Sequence, residues 1–169
     1  MEVKELSEAN QYLAFKLDKE IFAFDISKVR EVLEFNSVTK VPQTPPMMKG
    51  VINLRGSVVP VVDMRIKFGM GATEKTVNTV IIIIEIDLDE ESTMIGALVD
   101  SVNEVMDLDT DHIEPPPSIG TQLSTDYIRG MGKLKNEFII ILDIEKIFSS
   151  EELELVQLAG QQTSSEMAG

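Results

Sequence analysis

Gly50-Val51-Ile52-Asn53-Leu54-Arg55-Gly56-Ser57-Val58-Val59-Pro60-Val61-Val62-Asp63-Met64 sets two apolar runs around an Arg-Gly pair. That pattern predicts a strand, a tight turn and a returning strand. Pro60 cannot donate to a ladder, so it marks an edge or a bulge in the second strand. The outline returns at an offset of 80, with Gly50 matched by Gly130, Val61-Val62-Asp63-Met64 by Ile141-Leu142-Asp143-Ile144, and Phe68 by Phe148. Upstream, Val29-Arg30-Glu31-Val32-Leu33 resembles Val102-Asn103-Glu104-Val105-Met106, and Pro42 matches Pro115, both at an offset of 73. Seven extra residues of the second copy therefore fall between Pro115 and Gly130. One unit of roughly 70 residues, repeated, implies two similar small modules with a seam between them. Places where the copies differ are the candidates for function.

Working outward, residues 1–10 read as a flexible tail, and residues 11–17 and 21–26 as a hairpin turning at Asp18-Lys19-Glu20. Ser27 stands where a helix N-cap would, and Val29, Val32 and Leu33 follow at i, i+3, i+4. This spacing predicts an amphipathic helix of about two turns, and residues 102–106 take its place in the second copy. Residues 38–41 read as a brief strand, ended by the rigid loop Pro42-Gln43-Thr44-Pro45-Pro46. Residues 68–76 read as a flexible inter-module linker. Residues 77–86 are dense in Ile and Val without clear alternation, as in a strand buried on both faces. Residues 87–91 form a solvated turn, 94–99 the return strand and 138–144 the last strong strand. Ser149-Ser150-Glu151-Glu152 fits a capping box opening a helix over about 150–159, and the Gln/Ser/Thr-rich residues 160–169 read as a disordered tail. The expected organisation is one domain over 11–159, its first β-barrel repeat at about 11–69 and its second at about 77–149.

Composition excludes several classes of function. The 169 residues contain no cysteine, which removes disulfides, thiolate nucleophiles and cysteine-type zinc sites. A formal charge of −14 disfavours nucleic acid or an anionic membrane surface as the main partner. The longest strongly apolar run, residues 80–84, is too short to span a bilayer, and residues 1–10 look unlike a secretory signal, so the expected location is cytoplasmic. The single histidine, His112, lies in an acidic loop with no partner base. Asp107, Asp109 and Asp111 lack the glycine and terminal glutamate of a calcium loop, and Gly69-Met70-Gly71 lacks the Lys-Ser/Thr of a phosphate cradle. No nucleophile–base pair, metal set or cofactor motif emerges, so the chain reads as a non-enzyme.

What remains is surface. Val29, Val32 and Leu33 either all point into a core or leave an apolar side free, and the same holds for Val102 and Val105. Two such elements flanking a seam would form a groove suited to a partner helix. The Arg55-Gly56 turn is either an ordinary solvated turn or a carboxylate-binding one. The second copy has Lys135-Asn136 there, which keeps a charge but loses the guanidinium fork.

The stretch from Gly50 to Arg65 resembles the signature of the CheW family, bacterial chemotaxis coupling proteins; Phe24-Asp25-Ile26, Leu98-Val99-Asp100 and Leu123-Ser124-Thr125-Asp126-Tyr127 extend the likeness over most of the chain. The resemblance implies a mainly β fold: two intertwined SH3-like five-stranded β-barrels around a shared core, with short helices and a C-terminal helix. It implies an adaptor coupling methyl-accepting chemoreceptor tips to the histidine kinase CheA in membrane-associated arrays, with other adaptor copies as further partners. The receptor tip would lie in the inter-barrel groove at the positions matching Leu13, Ile26, Val29, Val32, Val102 and Arg55, with Glu31 nearby. Kinase contact would use Val38, Val41, Met48, Lys49, Gly50, Gly56, Ser57 and Val58, the two glycines allowing close backbone approach. Ile119 matches a second contact on the other barrel. A regulatory domain binding a small ligand in the groove is the alternative. Such a pocket needs convergent polar groups, whereas valines plus Arg55 favour a helix.

Overall fold

The computed structural model describes residues 11–88, 91–108, 113–114, 127–134 and 137–148. In chain order the strands are β1 Gln11–Leu17, β2 Glu20–Asp25, β3 Val29–Glu34, β4 Met48–Leu54, β5 Ser57–Asp63, β6 Val80–Leu88, β7 Glu91–Val99, β8 Ser101–Asp107, β9 Ile113–Glu114, β10 Ile128–Leu134 and β11 Glu137–Leu142. Two four-residue helices, α1 Met64–Lys67 and α2 Ile144–Ile147, follow β5 and β11. Ile119, His112 and the helix expected over 150–159 lie outside the described residues, as does most of the seven-residue insertion.

The strands form two sheets, ordered β8-β1-β2-β11-β10-β9 and β3-β6-β7-β5-β4. Each sheet takes its β1–β2 or β6–β7 hairpin from one repeat and its remaining strands from the other. The repeats are thus intertwined, as the family resemblance implies, and neither closes a sheet alone.

Strand register confirms the duplication at the level of single residues. Phe15 faces Val102 while Ile84 faces Val29, and Leu13 faces Val105 while Ile82 faces Val32. The parallel pairs Ala23↔Ile141 and Gly96↔Val61 obey the same correspondence. Even the irregularities repeat: the ladder shifts between Met48 and Gly50 and again between Ile128 and Gly130.

The same register corrects the two expected helices. Residues 29–34 are β3 and residues 101–107 are β8; among the described residues the only helical turn nearby is the 3-10 turn Ile26–Lys28, capped by Asp25 rather than Ser27. A register shift lies between Val29 and Glu31. A bulge adds one residue to the two-residue repeat of a strand, so Val29 and Val32 share a face at a spacing of three. A bulged strand thus imitates a helical pattern. Pro60 also differs from expectation, because β5 is a central strand. Counting from the Leu54↔Ser57 closure, Pro60 falls on a non-hydrogen-bonded pair with Val51. Its nitrogen points toward β7, whose ladder begins only at Val61.

Alternation sends side chains into three cores. Leu13, Phe15, Phe22 and Phe24 from one sheet meet Ile82, Ile84, Ile95 and Ala97 from the other in a large core between the sheets. Opposite faces of the same strands fill smaller cores around Tyr12, Ala23, Ile139 and Ile141 in one barrel and Val59, Val61, Ile81 and Ile83 in the other. This explains why Ile81 to Ile84 show no alternation: both faces are buried. Phe15, Phe22 and Phe24 correspond to Ile84, Ile95 and Ala97, so large residues of one copy oppose smaller residues of the other. The aromatic contacts continue through Phe68 to Tyr127, at centroid distances of 5.6 and 6.3 Å.

The linker is not a free tether among its described residues. Asp63, fully buried, accepts from the backbone N–H groups of Arg65 (3.0 Å), Ile66 (3.4 Å) and Thr73 (3.0 Å) and from the Thr73 hydroxyl (2.7 Å). Lys75 donates to the Asn36 carbonyl at 2.9 Å and lies over the Phe35 ring. The expected flexible link is a pinned strap.

Candidate interaction surfaces

Ile26, Val29 and Val102 are half-buried against the core between the sheets, of which Leu13 is a buried member. Four residues from three separate stretches of the sequence thus meet one hydrophobic body. Facing residues of adjacent strands share a side, so Val32, opposite Ile82, continues this core outward along β3. Val105, opposite Leu13, does the same along β8. Both remain exposed, at 41% and 49%. Val105, read from the sequence as a possible wall of the groove, is not among the positions that the resemblance matches to receptor contact, although its offset of 73 from Val32 pairs it with one of them.

Arg55 and Gly56 form the two-residue turn between β4 and β5, with φ of 51° and 88°. Two left-handed residues give the twist that a right-handed hairpin requires, and the Asn53 side chain accepts the Gly56 N–H at 2.8 Å. The turn projects the guanidinium toward β3, where Nη1 and Nη2 donate to the two carboxylate oxygens of Glu31 at 2.7 and 3.0 Å. This hydrogen bonding, followed by the carboxylate charge, holds the Arg55 guanidinium above its ordinary range. Arg30, beside Glu31, pairs with Glu85 on β6. Edge strand β3 is thereby tied to both neighbours.

The same contact closes one end of an open seam in the five-stranded barrel, where β3 and β4 do not pair. At the other end Thr39 and Val51 exchange backbone hydrogen bonds of 2.9 and 2.8 Å. Between them lies a cleft of about 650 Å³ lined by residues including Val32, Leu33, Val38, Ile52 and Leu54.

The positions matched to kinase contact fall at two ends of the β4–β5 hairpin. Val38, Met48, Lys49 and Gly50 lie toward its base, whereas Gly56, Ser57 and Val58 lie at its tip. Four strand steps, roughly 13 Å, separate Gly50 from Leu54, and Gly56 lies in the turn beyond it. Met48 and Gly50 are buried; Lys49, Val38, Val41 and Val58 are half-buried; Gly56 and Ser57 are exposed. The close approach at Gly50 is internal. A Cβ there would stand 2.5 Å from the Thr39 carbonyl oxygen and 3.0 Å from a Val38 methyl. At Gly56 a Cβ would meet nothing within 4 Å, so the turn's φ is what favours glycine.

Residues 11–152 match the CheW-like domain family. The chain is 38% identical over 146 residues to the chemotaxis protein CheW of Klebsiella aerogenes, covering 86% of each chain. It is 33% identical over 144 residues to the CheW of Rhizobium meliloti, covering 85% of this chain and 90% of that one. Among solved structures, the scaffolding protein TtCheW from Thermoanaerobacter tengcongensis matches with a TM-score of 0.75 and 36% identity, over 85% of this chain and 90% of that chain. Sequence, repeat register and fold agree, and the chain belongs to the CheW family.

Proposed function

We propose that this protein is a non-enzymatic adaptor coupling methyl-accepting chemoreceptors to the histidine kinase CheA. It works in the cytoplasm, recruited to membrane-associated receptor arrays where other adaptor copies are further neighbours. The observation that carries this reading is the repeat-related pair Val32 and Val105, which bring the core between the sheets to the surface on both edge strands. An apolar strip contributed by both repeats suits one face of a helical receptor tip. Arg55, held by Glu31 at its margin, supplies a charged anchor. The kinase would bind the β4–β5 hairpin through Gly56, Ser57 and Val58 and the neighbouring Val38, Val41 and Lys49, with Met48 and Gly50 shaping that surface from beneath. Receptor states would favour different packings on the strip, and the adaptor would pass that bias to the kinase.

Reconstituted kinase autophosphorylation with receptor tips, with and without this protein, tests the reading. Addition should change kinase output in a receptor-dependent way, and no change would remove the coupling role. Arg55→Glu sets two carboxylates against each other, so receptor affinity should fall about 10- to 100-fold, or about 1.4–2.8 kcal/mol, with kinase affinity kept within about twofold. Equal loss of both affinities would defeat the division of surfaces. Val105→Asp places a charge on an already exposed site. It should weaken receptor binding about tenfold with little effect on melting temperature, and unchanged receptor binding would exclude β8 from the strip.

A further inference from the structure

The chain crosses between sheets at two related corners, β2 to β3 and β7 to β8, and each corner meets the short helix that ends a β-hairpin. The two meetings are unequal. At the β7–β8 corner one oxygen of Asp100 accepts from Arg65 Nη1 of α1 at 2.8 Å and from the Asp18 N–H at 2.7 Å. Arg65 belongs to the segment following the five-stranded sheet, and Asp18 to the β1–β2 turn of the six-stranded sheet. Arg65 Nε also donates to the Gly71 carbonyl at 3.0 Å, and the Asp100 N–H to the Lys16 carbonyl at 3.1 Å. Both charged side chains are about three-quarters shielded, at 23% and 24% exposure. At the β2–β3 corner the charges are reversed: Lys28 reaches Glu145 of α2 at 3.5 Å, and Glu145 is 61% exposed. A single exposed contact of that kind contributes little.

We infer that Arg65 is a positioning residue: with Asp100 it clamps the two barrels together at one corner and leaves the Lys28–Glu145 corner free to open. On the adaptor reading, a partner contacting both barrels would then meet a hinge with a fixed end beside β8 and a yielding end beside β3.

The absence of native cysteine allows spin labels at exposed Lys40→Cys and Lys133→Cys, one on each barrel. Measured on the protein alone, the inter-label distance distribution should broaden at least twofold in Arg65→Met, recover in Arg65→Lys and stay unchanged in Lys28→Met. Asp100→Ala should broaden it as well and speed exchange of the Asp18 amide at least tenfold, which serves where Arg65→Met fails to fold. An unbroadened Arg65→Met, or equal broadening in Lys28→Met, would overturn the clamp. Because no receptor or kinase is present, that outcome would leave the adaptor reading standing. Failed kinase coupling would in turn leave the clamp standing.

Discussion

Gly50→Asp will lower the melting temperature on the order of 10 °C and reduce both kinase and receptor binding in proportion to the unfolded fraction. The new Cβ would stand 2.5 Å from the Thr39 carbonyl oxygen, which accepts the Val51 N–H at 2.8 Å. A backbone oxygen held in a bridge cannot swing aside as a side-chain tip can. The φ of 156° adds to the difficulty for any L side chain. Overpacking together with a carboxylate at a buried position costs about 3–5 kcal/mol, and a domain of this length loses about 2–4 °C per kcal/mol. Thermal denaturation followed by circular dichroism checks this. A variant of unaltered stability that still lost kinase affinity would instead make Gly50 a direct contact. Gly56→Ala is the useful companion, because open space surrounds that position and its cost is confined to the left-handed turn.

Asp63→Ala will destabilise the protein by a similar amount, about 3–5 kcal/mol. It removes the acceptor for three backbone N–H groups and one hydroxyl in a site without exposure. Each orphaned buried donor costs about 1–3 kcal/mol, tempered where water enters. Thr73→Val should recover part of the loss when combined with Asp63→Ala, since it removes one stranded donor, and should be harmful in the wild-type background. Additive losses in that double-mutant cycle would show that the strap is held by other means. The repeat-related Asp143 makes no side-chain cap hydrogen bond and is only half-buried, so Asp143→Ala should cost much less.

The legible parts of the sequence were those with local causes. Arg55-Gly56 between apolar runs announced its hairpin, and Ile81 to Ile84 their burial on both faces. The offsets of 73 and 80 hold in the ladders formed by β3, β8, β5 and β11. Parts with non-local causes were hidden. Valines at positions 29, 32, 102 and 105 carry a spacing of three, which helices and bulged strands share, and only the partner strand decides between them. Nothing in a repeat says whether its strands close on themselves or on the other copy, so the exchange follows from the family resemblance and not from the residues. The Glu31–Arg55 bond joins residues 24 apart whose proximity follows from that closure. Position 105 was legible as the counterpart of Val32 at the offset of 73, although the resemblance does not match it to receptor contact.

The interleaving of repeats has a consequence for how this molecule can be divided. A cut in the strap between β5 and β6 would yield two pieces of similar size, each holding a hairpin whose partner strands belong to the other piece. β1 would lose β8 and β11 would lose β2, while β6 would lose β3 and β7 would lose β5. Neither fragment would hold a sheet together in water, yet mixed together they would complement and regain the fold. Two intact chains could trade halves by the same route, giving a domain-swapped dimer. Ladders joining residues as distant as Gln11 and Asp107 must form late against a large loop entropy, so slow refolding is the kinetic signature of this architecture.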